Sequence, residues 1–210
     1  FQLVEHATGP CGTVYSFRKD GQEDSEIETF WSKPDVQKAP DYDPLYTRLY
    51  DNEEGLLHVD WWEPSFNLRG RQQPSRNPES WAWLRDEGDE RKDPNHPRYN
   101  LEALWAPIPV EEKEDLPEPY PSLRIYLFHL PYPDVAPGPD PYTQIFVLGN
   151  GDVKDVPRPY QKPELESAMN DVRYVLNRVY ERIEWQKDLK VIDNGFGLDD
   201  GNDLRFNLNA

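Results

Sequence analysis

The second half of the chain carries the most regular hydrophobic pattern. Three short apolar runs, Leu101–Trp105, Ser122–Leu130 and Tyr142–Gly149, are rich in β-favouring residues and are bounded by polar or proline-rich stretches. A longer segment from Pro163 then repeats apolar residues at spacings of three and four, which is the period of an amphipathic helix. This half therefore predicts three strands followed by one long helix.

Six residues make up the apolar stripe of that helix: Leu165, Met169, Val172, Leu176, Val179 and Ile183. Arg173, Arg178 and Arg182 lie off the stripe. A one-sided helix of this kind buries its stripe against a sheet or a partner. We expect it to pack on the three strands.

The N-terminal part predicts one strand and two short helices. Residues 13–18 alternate in the strand period, and residues 25–32 place Ile27, Phe30 and Trp31 on one helical face. Asp43 followed by Pro44 is typical of a helix start, with the aspartate as N-cap and the proline in the first turn.

Proline, glycine and charge patterns mark the connections. Residues 56–100 form a loop-rich insertion with four tryptophans and seven Lys/Arg, and we expect a short helix at 79–86 within it. Residues 131–141 hold five prolines, which indicates a long loop, and Gly149–Gly151 predicts a hairpin turn. Alternating runs in 189–210 predict a terminal β-ribbon.

Together these elements predict the α+β class. The expected architecture is a small antiparallel sheet packed by an N-terminal helical pair and a long C-terminal helix, with the 56–100 insertion and the terminal ribbon attached. We expect one domain over residues 1–210, because this length suits a single core with decoration.

Charge and composition narrow the functional classes. The net charge of −17 argues against a nucleic-acid-binding surface that covers the whole protein, and it fits either a salt-adapted source or a basic partner. The single cysteine, Cys11, excludes an intramolecular disulfide and favours the cytoplasm, where we expect Cys11 to have no catalytic role. No apolar run approaches the length of a membrane span.

The order of the motifs resembles the RelE/ParE superfamily of type II toxins, and within it the phage-derived HigB-like branch. The resemblance rests on the strand from Leu123 to Phe128, on Ile145–Lys154 and on the helix start Lys162–Ala168, and it covers about half of the chain. It also includes Phe17–Gly21 as an opening strand and turn. Trp105 stands where the family usually has an arginine.

The resemblance implies a toxin component of a prokaryotic or phage type II toxin–antitoxin system. Such a protein would be a metal-independent endoribonuclease (an mRNA interferase), partnered by an antitoxin and acting on mRNA or at the ribosome, with no cofactor. Two alternatives remain: a catalytically silent interaction protein on the same scaffold, and an unrelated acidic phage or structural component.

RNA cleavage through the 2′-hydroxyl requires a cation for the phosphate charge and groups that move protons. Arg124, in the middle strand, is the candidate phosphate clamp, or else a structural ion-pair partner. Tyr126 shares its strand face and is a candidate for orienting a base, while Lys154 is a second candidate catalytic cation. Arg158 and Tyr160 follow as candidate substrate-binding residues.

The insertion adds three candidate substrate-binding residues, Trp81, Trp83 and Arg85, which could stack on bases or contact phosphate. They could equally anchor the insertion in a small core. No histidine is well placed as a general base, because strand alternation puts His129 on the face opposite Arg124. The histidines and the cysteine are too scattered to predict a metal site.

Overall fold

The computed structural model describes residues 1–9, 12–51, 55–58, 62–66, 72–76, 84–86, 101–106, 121–131, 144–185 and 203–205. Its elements in chain order are β1 (Gln2–Gly9), β2 (Gly12–Arg18), α1 (Glu26–Ser32), α2 (Pro34–Gln37), α3 (Tyr42–Tyr50), β3 (Trp62–Phe66), β4 (Gln72–Arg76), β5 (Leu84–Asp86), β6 (Glu102–Leu104), β7 (Ser122–Pro131), β8 (Gln144–Lys154), a 3₁₀ helix (Pro159–Gln161), α4 (Pro163–Trp185) and β9 (Asp203–Arg205).

The main sheet has the strand order β5-β6-β7-β8-β2-β1-β9, in which a three-residue strand at each edge extends five central strands. The α+β class is confirmed, but the prediction of an antiparallel sheet is wrong in one place. β2 pairs with β8 in parallel, with Gly12 opposite Gln144 and Ser16 opposite Leu148. A parallel pair needs a long crossover, which the chain from α1 to β7 supplies. The sheet is therefore mixed.

Helices cover both faces of the sheet. The core on one side joins α4 to the strands, and Tyr126, Phe128 and Val147 belong to it. The core on the other side joins α1, α2 and α3 to the strands, and Ile125 and Leu127 belong to it. Three N-terminal helices, where the sequence predicts a pair, thus lie on one face of the sheet and α4 on the other.

The stripe of α4 packs as its period predicts. Leu165, Met169, Val172 and Leu176 are buried against the sheet. Burial of each such side chain contributes about 1.5–3 kcal/mol. The last two stripe positions, 179 and 183, have side chains outside the described part of the chain.

The helix at 25–32 is also confirmed, and its ends have clear causes. Ser25 caps α1, and Glu28 reaches back to the Ser25 amide, which together form a capping box. Pro34 follows the C-cap Lys33 and begins the one-turn α2. Local sequence signals therefore set both ends of α1.

The strand β1 was not predicted from the hydrophobic pattern. It pairs antiparallel with β2 along its length, but the register shifts between Glu5 and Ala7. A bulge of this kind interrupts the alternation of side chains between the two faces. Only Leu3 within β1 is fully buried, so the period-two signal is weak.

The predicted hairpin turn at Gly149–Gly151 is wrong, because β8 continues through it to Lys154. Register with β7 shifts here, so two residues of β8 face Tyr126 alone. A Cβ atom on Gly151 would overlap the carbonyl oxygen of Arg124, and one on Gly149 would collide with the Val172 side chain. The glycines therefore serve close packing at a β-bulge rather than a turn.

The insertion and the C-terminus differ from expectation where the structure describes them. β3 and β4 form a separate antiparallel pair, and the expected helix at 79–86 is wrong at its end, where β5 pairs with β6. In the C-terminal segment β9 pairs with β1. Residues 186–202 and 206–210, which include most of the predicted ribbon, lie outside the described residues, as does the 132–143 loop.

None of the described helices combines the length and the apolar character that crossing a membrane would require.

Candidate functional site at the end of the central strands

The candidate site lies where β6 ends beside β7. β6 pairs with β7 from Glu102 opposite Leu127 to Leu104 opposite Ile125, and it stops there. β7 begins earlier, so Leu123 lies beyond the last pair. The Leu123 amide donates a hydrogen bond of 2.8 Å to Oδ2 of Asp41, whose carboxylate takes the place of a strand partner.

Arg124 is buried at this strand end, with 6% of its surface exposed. Its Cζ lies 4.2 Å from the centre of the Trp105 ring, which is close enough for a cation–π interaction. Nη1 donates to Oγ of Ser122 and to the carbonyl oxygen of Leu123, each at 2.9 Å. The guanidinium is therefore bound to its own strand beneath an aromatic ring.

Asp41 completes this buried polar group, since it is also 6% exposed. Burial raises the pKa of its carboxyl, while the Leu123 amide and the charge of Arg124 oppose that rise. The predicted start of α3, with Asp43 as N-cap, is also wrong. α3 begins at Tyr42 with Asp41 as N-cap residue, but the Asp41 side chain makes no cap hydrogen bond because it is committed to Leu123.

Tyr126 shares the strand face of Arg124, as alternation predicts, but its ring is completely buried in the core beside α4. A ring stacked on a base must reach the surface. The expected base-orienting role of Tyr126 therefore does not fit this conformation.

Lys154, Arg158 and Tyr160 lie at or beyond the end of β8, which pairs with the start of β7 near Arg124. Lys154 is half-buried and its backbone pairs with Ser122, two residues from Arg124. Arg158 is exposed, and its Nη1 donates to the Tyr160 hydroxyl at 3.1 Å. Tyr160 is 55% exposed, with the Arg158 guanidinium 5.9 Å from its ring centre. Arg158 and Tyr160 thus form a surface pair.

Of the three candidate residues in the insertion, the structure describes the backbone of Arg85, which lies in β5 and pairs with Ala103. Trp81 and Trp83 lie outside the described residues, and so does Cys11.

Sequence reasoning did not identify Asp152, which pairs with Arg124 in the β7–β8 register. Its Oδ1 is 3.3 Å from Nζ of Lys162, which precedes α4. Its Oδ2 is 3.5 Å from Nζ of Lys33, which lies between α1 and α2. Asp152 therefore links the helices of both layers at the sheet end. Lys33 is far from Asp152 in sequence, so only the fold reveals the cluster.

The ion-pair network continues along the bulge of β8. Nζ of Lys33 donates to Oδ1 of Asn150 at 2.9 Å, and Nδ2 of Asn150 donates to Oε2 of Glu26 at 2.8 Å. Glu26 is buried, and its Oε1 is 3.1 Å from Nζ of Lys19, which also contacts Asp171 on α4 at 2.8 Å. These groups satisfy one another, which indicates a structural role.

Among the described residues, the candidate site has few side chains that could transfer a proton. His6 lies on β1, three strands from β7, where Nε2 is 3.0 Å from Oγ of Ser25. Burial lowers the pKa of His6, with the charge of Glu28 opposing, so the ring favours the neutral form. Within the described residues no group of three or more His, Cys, Asp or Glu side chains could hold a metal ion.

Comparison of the chain with protein-family models, curated proteins and solved structures finds no match.

Proposed function

We propose that this chain is a RelE/ParE-like protein that acts by binding a protein partner and does not cleave RNA through Arg124. The burial of Arg124 carries the proposal, since the residue is 6% exposed and its guanidinium lies beneath Trp105, bonded to Ser122 and Leu123. The element order supports the scaffold in part: β2, α1 to α3, β6 to β8 and α4 follow one another as the resemblance implies, and β1 and the insertion strands β3 to β5 are additional.

A phosphate clamp must meet its substrate with free guanidinium donors in place. In this structure Nη1 already donates to two acceptors, and an aromatic ring covers the group. Phosphate binding through Nη1 would first have to break these contacts, and at any guanidinium nitrogen it would have to reach a charge that the fold has buried. This cost favours a structural role for Arg124, with Asp41 and Trp105 as its partners.

The second candidate function is the mRNA-cleaving toxin of a type II toxin–antitoxin pair, acting in the cytoplasm. The exposed Arg158–Tyr160 pair favours it, because it joins a cation to an aromatic ring at the surface. Lys154 lies on the same strand end and would supply a second cation. In this version Arg124 supports the fold beneath the site, and substrate contacts come from the 154–160 segment.

Induced expression and RNA cleavage separate the two functions. We would follow growth after induction, and cleavage of single-stranded RNA and of ribosome-bound mRNA by purified protein, for the wild type, Arg124→Lys and Arg158→Gln. The proposal predicts no growth arrest and no cleavage above buffer for any of the three. Arrest and cleavage that persist in Arg124→Lys but vanish in Arg158→Gln would establish the second function.

Loss of cleavage in a folded Arg124→Lys protein, with Arg158→Gln active, would contradict both versions and assign Arg124 to the phosphate. A reading frame for a small helix-turn-helix protein beside this gene would support an antitoxin as the partner under either function.

A further inference from the structure

Four aromatic rings cluster on the helical layer, at the border of the core that joins α1, α2 and α3 to the sheet. Tyr42, Tyr46 and Tyr50 are spaced four residues apart on α3, and Trp31 from α1 lies against all three. The centre of the Trp31 ring is 5.3 Å from Tyr42, 5.2 Å from Tyr46 and 6.4 Å from Tyr50. We call these four residues the tyrosine ladder.

The ladder lies beside the buried stripe of α3, and three of its members, Trp31, Tyr42 and Tyr50, pack against the core as partly buried side chains. Leu45 and Leu49 of α3 are completely buried in the core against the strands. Tyr46 is 45% exposed, and Tyr42 and Tyr50 are half-buried. The ladder therefore extends the core to the surface, where Tyr46 presents an exposed aromatic ring supported by the other three.

The rings of the ladder are held in place before any partner binds. The Trp31 Nε1–H donates to the Tyr50 hydroxyl at 3.2 Å, and Tyr46 contacts Tyr50 with ring centres 4.7 Å apart. Burial raises the pKa of Tyr50 to about 12, so its hydroxyl stays neutral at physiological pH. Ordered aromatic side chains lose little conformational entropy on binding, which favours their use in interfaces.

Charge around the ladder indicates the kind of partner that fits. Between residues 20 and 51 there are nine Asp/Glu and three Lys/Arg, a difference of −6. Glu28, Asp35 and Asp43 are exposed on the three helices, and the charge of Glu28 acts on Tyr50. An aromatic surface with acidic neighbours attracts a cation, both through the ring faces and through the carboxylates.

We propose that the tyrosine ladder is the docking surface for an amphipathic helix of a partner protein, with arginine or lysine beside its apolar stripe. The three tyrosines of α3 span nine residues, or about 12 Å of helix axis, which is close to two turns of an adjacent helix. Apolar side chains of the partner would pack on Tyr46 and Trp31, and its cations would meet Glu28 and Asp43. The inference rests on the proposed partner-binding function and names its surface.

The alternative is that the ladder only ties α1 to α3. Tyr174 on α4 supplies a matched control, because it has the same exposure of 45% but no aromatic neighbours at ring-contact distance among the described residues. Its ring lies 5.6 Å from the Arg178 guanidinium. Removing either tyrosine leaves a similar surface, and only Tyr46 belongs to the ladder.

The test is fluorescence anisotropy of a labelled amphipathic Leu/Arg peptide with the full chain, beside a Leu/Glu peptide of the same pattern. Salt at 0.15 M screens charges farther apart than about 8 Å, which limits general attraction to an acidic protein. We expect the wild type to bind the Leu/Arg peptide alone. Tyr46→Ser should weaken binding about tenfold, as loss of a central aromatic contact does, and Tyr174→Ser less than about twofold.

Tyr46→Lys is the second variant, since it keeps an aliphatic stem on α3 and repels the cationic peptide; it should abolish binding. Circular dichroism and the unfolding midpoint check that each variant is folded. Equal binding by wild type and Tyr46→Lys, or equal weakening by Tyr46→Ser and Tyr174→Ser, would overturn the inference. RNA cleavage by a protein that shows the expected peptide binding would refute catalytic silence but support the docking surface.

Discussion

Arg124 and Arg158, the candidate phosphate clamp and a candidate substrate-binding residue, have opposite surroundings. Arg124 is covered by Trp105 and bonded to its own strand, whereas Arg158 is exposed and its guanidinium donates to the surface Tyr160. The difference arises because β6 stops at Leu104 and leaves the start of β7 to be completed by side chains. Whether an arginine is buried therefore depends less on its position along a strand than on which residues the neighbouring strand leaves unpaired.

The largest expected effect on stability is at Gly151, in the bulge of β8 beside the Arg124 backbone. Gly151→Ala places a Cβ on the carbonyl oxygen of Arg124, so strands β7 and β8 must separate. We expect a loss of about 4 kcal/mol or more in the free energy of unfolding, measured by urea titration. Gly21→Ala is the control, because Gly21 has φ of 83° but open space around it, and should lose only about 1 kcal/mol. Equal losses would contradict close packing at the bulge.

The comparison of the two arginines predicts a stability difference. Arg124→Met removes two charged hydrogen bonds and leaves Asp41 buried without its nearby cation, so we expect a loss of about 3 kcal/mol in the free energy of unfolding. Arg158→Met acts on an exposed side chain and should change the free energy of unfolding by less than about 0.5 kcal/mol. Similar losses in the two variants would remove the contrast between the sites.

Substitutions of Asp41 should show how much its hydrogen bond with the Leu123 amide, near the start of β7, contributes to stability. Asp41→Ala leaves the Leu123 amide without its acceptor, for a loss of about 2 kcal/mol, whereas Asp41→Asn keeps an oxygen acceptor and should lose less. A larger loss in the asparagine variant than in the alanine variant would contradict this role for the carboxylate.

The stability that Asp41 contributes should change with pH in a defined direction. Its pKa is raised in the folded state, so the folded state binds the proton more tightly than the unfolded state does. Stability from this group is therefore lost as pH rises from the ordinary aspartate value through the raised one. The wild type should gain stability relative to Asp41→Asn as pH falls through that window, and a difference that is constant with pH would contradict it.

The smallest expected effect concerns the tyrosine ladder. Tyr50→Phe removes the acceptor of the Trp31 indole hydrogen bond but keeps the ring contacts, for a loss of about 1 kcal/mol in the free energy of unfolding. A spectroscopic titration should also lose the tyrosine that ionises at about pH 12. An unchanged titration would place that ionisation on another residue.

The parts of the fold that the sequence predicts are those with local causes. The α4 stripe from Leu165 to Leu176 needs only the helical period, and α1 needs only Ser25, Glu28 and the proline that follows it. The sequence pattern did not predict β1, because its bulge interrupts the alternation of side chains between the two faces of the sheet. Gly149–Gly151 has the composition of a turn, but the packing of α4 and β7 decides its conformation.

The candidate site could be predicted only in part. Strand alternation places Arg124 and Tyr126 on one face, but it does not say that Trp105 and α4 cover that face. Asp41 was overlooked because Asp43 followed by Pro44 is the stronger helix-start signal, and the bond from Leu123 to Asp41 joins residues 82 positions apart. Long-range pairing of this kind leaves no local pattern in the sequence.

Chemical modification of arginine tests the central claim most directly, because it requires no variant. The native protein would be treated with phenylglyoxal, and the modification rates of Arg124 and Arg158 read by peptide mass spectrometry, with the urea-unfolded protein as reference. The account predicts that Arg124 reacts at least about tenfold more slowly than Arg158 in the native state, since it must first be exposed by local opening, and that the two react alike when unfolded. Equal rates in the native protein would show that Arg124 is open to solvent and available to a phosphate.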